Sequence, residues 1–417
     1  MEANRNSTAP AFTDWLDEFL TSYYQHRPVN ATFIGVHEHD HRLPDLSEDG
    51  IDAVVSDMRA LRTRLAELPP ESLNPAEALD RQLAAGFLEI QEWEYGAPTF
   101  WRGNPSLAAG EAVFSIISLF LRRFAPIDQR VDAAIQRLDA LPTFLEQARA
   151  TIRSASPAWT ERARHECDGM LALLGDGIDQ LTAEEGITNP LLRQAADRAR
   201  QAVARHRDDQ TQSLAGAGGD DVACGAEALE RYIHRGHFIT HSSAEIEAAA
   251  QDELRRSQSR LTQMAHELGV ANWVDGLALL ANAHPSAEQY YSRYSEVWQS
   301  AQRAALDHDL LTWPDYPLRY VPRPVWTRTA APYLYFLFYR APAAFDHVDI
   351  VDYLVTPLTP EMTSDEQERL LRSTNDTVIT LNHVIHHGGL GHQVQNWNAY
   401  RAESRIGRIA AVDCASR

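Results

Sequence analysis

The chain has 417 residues, 44% of them hydrophobic, and a net charge of −20, which is the composition of a globular protein with a large apolar core. A surface this acidic repels phosphate backbones, so nucleic acid is not an expected partner. All 38 basic residues are arginine, and without a lysine the chain can form neither a pyridoxal-phosphate Schiff base nor a lysine-containing phosphate loop.

The sequence carries no visible targeting signal. Its first residues lack the basic region and apolar run of a secretory leader, and no stretch approaches the roughly 18 apolar residues that a membrane-spanning helix needs. Cys167, Cys224 and Cys414 lie far apart and form no C-x-x-C pair, which favours a reducing compartment. We therefore expect a cytoplasmic protein without a membrane partner.

Helical periodicity covers most of the chain. The first helix is predicted to begin at Thr13, whose hydroxyl group would cap it. Two capping boxes predict the starts of later helices, Ser242 with Glu245 and Thr363 with Glu366. The expected fold class is therefore mostly α.

Irregular and strand-like stretches are few. The best strand candidate is the aromatic run Pro332 to Arg340, in which large residues alternate. Residues 313–326 contain four prolines and cannot form a regular helix. The Gly-, Ala- and Asp-rich residues 211–225 predict a loop or soft joint. We interpret residues 1–417 as a single α-helical domain with this joint inside it.

Three histidine-rich segments compete as metal or acid–base sites. The first contains His37, His39 and His41, which would lie on one side of an extended segment. A polar loop after the first helix is the favoured interpretation of this segment.

The second segment contains His234, His237 and His241, which would follow one face of a helix. Gly236 interrupts it, and no carboxylate stands at ligand spacing within it. A helix end with solvated histidines is the favoured interpretation here.

The third and densest segment reads LNHVIHHGGLGHQVQNW, from Leu381 to Trp397. In an unbroken α-helix His383 and His387 would lie about 40° apart and could chelate one ion. His386 and His392 would lie about 240° apart on the same helix and could not converge.

The glycines in this segment change that geometry. Gly388 and Gly389 can adopt left-handed conformations and end the helix, and Gly391 can open the next one. A helix–kink–helix would bring His386 and His392 to one point. Spacing alone leaves both pairs open, beside a third interpretation in which the histidines merely lie near the negative end of a capped helix.

The same segment resembles the core motif of the domain-of-unknown-function 885 family, whose usual form is His-Glu-x-x-Pro-Gly-His-His-x-x-Gln. The first motif histidine falls on His386, the glycine on Gly391, the second histidine on His392 and the glutamine on Gln395. The stretch from Arg27 to Ser47 is similar to the opening of the family.

This family resembles the large helical zinc peptidases of the gluzincin type. The resemblance implies that His386 and His392 bind zinc or another divalent transition metal, and it disfavours the pair His383 and His387. It also implies hydrolysis of a peptide-like or amide small molecule.

The chain departs from the motif at its general base. His387 replaces the motif glutamate, which would accept a proton from water during hydrolysis. A neutral imidazole, with an ordinary pKa of about 6.5, could take that catalytic role but cannot supply a negative charge. Leu390 replaces the motif proline and Gln393 its third histidine.

The family's Glu-Gly-Trp-Ala segment, whose glutamate is the expected third ligand, does not occur in the sequence. We therefore expect a C-terminally incomplete member of the family, a component of a split hydrolase whose site is completed by a second polypeptide. The alternatives are a truncated protein and a non-catalytic helical binding protein that keeps a degenerate peptidase cleft.

The C-terminal residues predict association. Residues 393–417 are expected to form a helix whose apolar face carries Val394, Trp397, Ile406 and Ile409. The family resemblance implies that the partner of this face lies partly in the missing C-terminal segment. We therefore expect an exposed apolar patch here that binds a second polypeptide or a second copy of the chain.

Overall fold

Helices make up most of the molecule, which confirms the predicted fold class. The computed structural model describes residues 8–70, 73–98, 100–152, 154–213, 223–333, 343–346 and 350–409. Most of the aromatic strand candidate (334–340) and of the predicted soft joint (214–222) lies outside these ranges.

The first half of the described chain is a body of nine α-helices. Their bounds are α1 Thr8–His26, α2 Pro28–Ile34, α3 Glu48–Glu67, α4 Pro75–Gly96, α5 Pro105–Phe120, α6 Ile127–Thr151, α7 Pro157–Ala172, α8 Ile178–Glu185 and α9 Pro190–Ser213, with a π-helical turn at Leu173–Gly177. The first helix begins at Thr8, so Thr13 is not its N-cap. Pro10 lies in the first turn of α1, where proline is tolerated, and Phe12 is buried in the same helix against Trp15.

The second half contains shorter helices and one pair of strands. Their bounds are α10 Ala226–Arg231, α11 Ser243–Glu267, α12 Trp273–Leu280, α13 Tyr290–Asp307, β1 Leu318–Pro322, α14 Val325–Arg328, β2 Val351–Val355, α15 Ser364–Ser373, α16 His392–Tyr400 and α17 Arg405–Ile409, with π-helical segments at Tyr232–Gly236 and Val378–His386 and a 3₁₀ turn at Ala331–Tyr333. Both predicted capping boxes are confirmed at the starts of α11 and α15.

Two apolar clusters fill the first half. One is built on α5, which is almost entirely buried and packs between α6 and α7, with α9 behind them. The other joins α1, α3 and α4. Fully buried side chains such as Ile116 and Leu88 contribute about 1.5–3 kcal/mol each relative to their exposed state.

The chain beyond Tyr400 packs back onto this body. Buried Asp80 in α4 accepts hydrogen bonds from Ser404 Oγ at 2.6 Å and from the backbone N–H of Ile406 at 2.7 Å. Ile406 and Ile409 are buried in the cluster of α1, α3 and α4. The predicted exposed apolar face is therefore wrong at these two residues, and the predicted single helix over 393–417 is broken between α16 and α17. Residues 410–417 lie outside the described ranges.

A smaller cluster supports the histidine segment. Strands β1 and β2 pair in parallel, with Tyr320 opposite Tyr353. These tyrosines pack with Tyr290 and Tyr294 of α13 and with Val384 of the π-helical segment. The proline-rich residues 313–326 thus contain a short strand, which Pro322 can end because it is an edge position.

Helices α11 and α12 form a hairpin, residues 243–280, that stands largely in solvent. In α11 only Ala265 is buried, and in α12 only Gly276. Leu268 lies against Gly276, where the two helices pack on each other.

No helix among the described residues combines the length and the apolar character needed to cross a membrane.

Candidate metal centre

Three imidazoles meet where the chain turns from the π-helical segment into α16. The potential ligand atoms of His386, His387 and His392 all lie within 4.8 Å of one another. Their ring centroids are 4.3 Å apart for His386 and His387, 5.1 Å for His386 and His392, and 5.5 Å for His387 and His392. Across the described residues this is the one group of three or more His, Cys, Asp or Glu side chains close enough to share an ion.

The helix before the turn is π-helical, with hydrogen bonds that span five residues. The backbone N–H of His387 donates to the carbonyl oxygen of Asn382 at 3.0 Å. Ile379 and Val384, five residues apart, are consequently both fully buried, whereas on an α-helix they would lie about 140° apart. The predicted 40° offset of His383 and His387 does not apply to this geometry.

The glycines permit close approach rather than left-handed backbone. Gly391 has φ −97° and ψ −115°, and neither Gly388 nor Gly389 has a positive φ. A Cβ atom on Gly391 would lie 1.8 Å from the carbonyl oxygen of His386, and one on Gly388 would lie 2.4 Å from Tyr320 Oη. The predicted kink between His386 and His392 is present, but it forms because only glycine fits there.

His383 lies outside the group of three imidazoles. Its Nδ1 is hydrogen-bonded to Tyr353 Oη at 2.7 Å, and its ring packs on Tyr294. Burial, with a smaller contribution from His387, lowers the pKa of His383 to about 4. His383 is therefore a neutral, half-buried residue that connects the π-helical segment to Tyr353 and Tyr294.

The first turn of α16 holds His392 in place. Gln395 Oε1 accepts a hydrogen bond from His392 Nδ1 at 2.7 Å, which places the proton of a neutral ring on Nδ1 and its lone pair on Nε2. Gln393 is fully buried; its Oε1 accepts from Trp298 Nε1 and its Nε2 donates to the carbonyl oxygen of Tyr316, both at 3.0 Å. These contacts fix the position of the His392 ring, in the way that outer partners fix metal-binding histidines.

The electrostatics of the group favour a neutral His387. Burial first, and then the neighbouring His386 and His392, lower the pKa of His387 to about 4. No described carboxylate belongs to the group. A neutral His387 keeps a lone pair for a metal at neutral pH. Three imidazole side chains at this spacing fit a zinc ion and would leave a fourth position open.

Residues 28–415 match the model of a family described as a bacterial protein of unknown function, DUF885. The chain belongs to the DUF885 family. A solved structure, described as a putative lipoprotein of unknown function from Shewanella oneidensis, resembles this DUF885 chain with a TM-score of 0.68 and 18% sequence identity; the match covers 95% of this chain and 78% of that one. At this identity the likeness establishes the fold alone. No curated protein matches the sequence.

The histidines of the first histidine-rich segment of the DUF885 chain do not come together in a group that could share an ion. His37 lies between two carboxylates, with Nδ1 at 2.9 Å from Asp40 and Nε2 at 2.8 Å from Asp346, while His41 is exposed. Burial alone would lower the pKa of His37, but the hydrogen bonds to Asp346 and Asp40 raise it to about 9. The segment is a structural ion-pair site, in keeping with the predicted polar loop.

The second segment ends a helix, as the sequence favoured. His234 lies in the π-helical turn Tyr232–Gly236, 2.9 Å from Glu230 and 2.7 Å from the carbonyl oxygen of Ile239. His237 and His241 follow the turn in irregular backbone and share no ligand group with it.

A cavity of about 670 Å³ lies elsewhere, lined in part by Arg162, His165 and Arg323. Arg162 forms an ion pair with Glu166 at 2.8 Å, and His165 Nε2 lies 3.2 Å from Glu161 Oε1. The described lining contains none of the clustered histidines. The imidazole group is the better candidate centre because its three side chains lie close enough to share an ion. In the cavity, Arg162 and His165 each already contact a carboxylate.

Sequence reasoning missed the residues that support the imidazoles. Tyr353, Trp298 and Tyr316 come from distant segments, and no local pattern connects them with the histidines. The five-residue spacing of Ile379 and Val384 was a usable signal for the π-helical segment.

Proposed function

We propose that this DUF885 chain binds a divalent transition metal, zinc foremost, through His386, His387 and His392 and acts as a metal-dependent hydrolase on a peptide-like or amide small molecule. The observation that carries the proposal is the convergence of three imidazole nitrogens within 4.8 Å. The kinship with gluzincin-type peptidases belongs to this proposal and rests on the motif resemblance.

The donor set suits the metal. Three protein ligands with one open position are typical of catalytic zinc, and imidazole is a ligand that zinc accepts readily. A bound zinc ion would supply Lewis acidity, which activates water and polarises a carbonyl group. The chain's own contribution is to fix three nitrogens, with His392 oriented by Gln395.

His387 has two candidate roles in this proposal. The motif resemblance makes it a substitute for the glutamate base, whereas its position makes it the third ligand. The lowered pKa of His387 favours the ligand role, because a group with a pKa of about 4 is a weak proton acceptor at neutral pH. The motif resemblance gives a second polypeptide as the source of the third ligand; with His387 as the third ligand instead, that polypeptide would supply the carboxylate base.

Metal titration separates these roles. Purified chain, stripped with a chelator, should bind one zinc ion per chain, as measured by calorimetry and metal analysis. His387→Ala should lower the zinc affinity by more than about 10-fold if His387 is a ligand and leave it unchanged if His387 is only a base. His37→Ala is the matched control, because His37 is a histidine of comparable burial outside the group.

Hydrolysis is tested with a library of amide and dipeptide substrates, with and without zinc. Zinc-dependent turnover lost in His386→Ala supports the proposal. Absence of zinc binding by the wild-type chain, or turnover that survives in His386→Ala and in chelator, would refute it.

A further inference from the structure

The α11–α12 hairpin exposes an apolar surface that is unusual for a folded chain. Of the 21 large apolar side chains that are exposed among the described residues, nine lie in this hairpin, each between 38% and 58% exposed. They are Leu254, Leu261, Met264, Leu268, Trp273, Val274, Leu277, Leu279 and Leu280. The largest apolar patch on a typical monomer covers about 300–600 Å².

The spacing of the exposed leucines is that of a helix-pairing seam. Leu254, Leu261 and Leu268 stand seven residues apart, and Met264 follows Leu261 by three. Heptad spacing of this kind places apolar residues in a stripe that packs against another helix. Within the chain, α12 packs on α11 near Leu268 and Gly276, and yet the stripe stays about half exposed.

The charges beside the stripe complement each other in an antiparallel pair. Arg260 and Glu267 stand seven residues apart along the edge of the stripe, and each contacts Gln263, at 3.5 Å and 2.7 Å. If two α11 helices cross antiparallel about Thr262 and Gln263, Leu261 of one copy meets Met264 of the other. The same register places Arg260 opposite Glu267.

We propose that the α11–α12 hairpin is a self-association surface and that its occupant is the same hairpin of a second copy, so that two hairpins form an antiparallel four-helix arrangement. The nine side chains present on the order of 700 Å² of apolar surface, close to the roughly 800 Å² per partner of a standard interface. A two-fold arrangement uses one surface twice, so no second, different surface is required.

The test measures the mass of the full chain by light scattering and sedimentation between about 1 and 100 μM, a range that spans dissociation constants of ordinary dimers. A concentration-dependent dimer is expected. Leu261→Glu with Met264→Glu should weaken it by about 100-fold or more, because two central apolar contacts are replaced by like charges. Leu191→Glu on α9, which is 52% exposed in the wild type, is the matched control and should leave the dimer intact.

A charge swap tests the register. Arg260→Glu alone should weaken the dimer by about 3- to 10-fold, and Arg260→Glu combined with Glu267→Arg should restore it. Circular dichroism checks that every variant keeps its helices, which is expected because α11 lies outside the apolar core. A monomer at all concentrations, equal weakening by Leu191→Glu, or no restoration by the double swap would overturn the proposal.

Discussion

Two histidine-rich regions of this molecule use the same side chain in opposite electrostatic settings. His37 lies between two carboxylates, which raise its pKa to about 9. His387 lies among other imidazoles in a partly buried turn, and its pKa falls to about 4. One ring is a cation at neutral pH and the other is a neutral donor.

The difference shows that histidine density alone does not distinguish a structural site from a candidate metal site. A charged imidazole has no lone pair to give to a metal, so the ion-paired His37 is excluded from ligand chemistry while its partners stay ionised. What separates the two regions is the neighbour that tertiary structure provides. Asp346, 309 residues from His37 in sequence, cannot be assigned to it from spacing.

The contrast between the two histidine-rich regions would be refuted if loss of a histidine from either region lowered zinc affinity equally. His386→Ala or His392→Ala should lower zinc affinity by more than about 100-fold, because two remaining imidazoles hold the ion loosely. Competition with a chromogenic chelator measures this change. Equal loss in His37→Ala would show that zinc does not bind at the imidazole group.

A substitution that changes the backbone of the turn tests whether the close approach at Gly391 holds the imidazoles together. Gly391→Ala places a Cβ atom 1.8 Å from the carbonyl oxygen of His386, so the turn must open and separate His386 from His392. Zinc affinity should fall by about 10- to 100-fold or more, while the thermal transition of the helical body shifts little. Gly96→Ala, where a Cβ meets nothing within 4 Å, is the control; zinc affinity unaffected by Gly391→Ala would contradict the close-approach explanation.

Removal of Gln395, the hydrogen-bond partner of His392, should lower zinc affinity less than the changes at His386, His392 or Gly391. Gln395→Ala removes the acceptor for His392 Nδ1 and should reduce zinc affinity by about 10-fold, the lower end for outer partners of metal ligands. Gln395→Glu keeps an acceptor and should retain most of the affinity. Calorimetry of the two variants side by side measures the difference, and identical losses would refute an orienting role.

The smallest effect concerns stability at His37. Its folded pKa of about 9 exceeds the ordinary value of 6.5, so its stabilisation is present below about pH 6.5 and is lost as the pH rises through about 9. His37→Ala should cost about 1–3 kcal/mol at pH 6 and less at pH 9.5. Urea unfolding at both pH values measures it; a pH-independent cost would mean that packing on Phe124, rather than the ion pairs, stabilises this region.

Much of the fold followed from local patterns. The mostly helical class and the starts of α11 and α15 were predicted, because capping boxes and helical periodicity are encoded within a few residues. The kink that joins His386 and His392 was also anticipated from its glycines.

The features that were not predicted from the sequence depend on contacts between residues that are far apart in the chain. The turn uses a close backbone approach instead of a left-handed glycine, since Tyr320 and the carbonyl oxygen of His386 occupy the space. The burial of Ile406 and Ile409 depends on Asp80, more than 300 residues earlier in the chain. That His387 lies with the other two imidazoles was not predicted, because α-helical reasoning does not consider the π-helical segment that precedes it.

The π-helical segment also has a consequence for how this region tolerates insertion or deletion of a residue. A π-helical stretch is equivalent to an α-helix that has accommodated an extra residue within its turns. Deleting one residue between Val378 and Asn382 would let the stretch relax to α-helical winding, which turns by about 100° per residue. With Ile379 retained, Ile379 and Val384 would then stand four residues apart, about 40° on an α-helix, so the buried face and the histidines beyond it would keep their relative direction. The π-helical winding can therefore be gained or lost by a single-codon insertion or deletion without separating the histidines from the buried face that supports them.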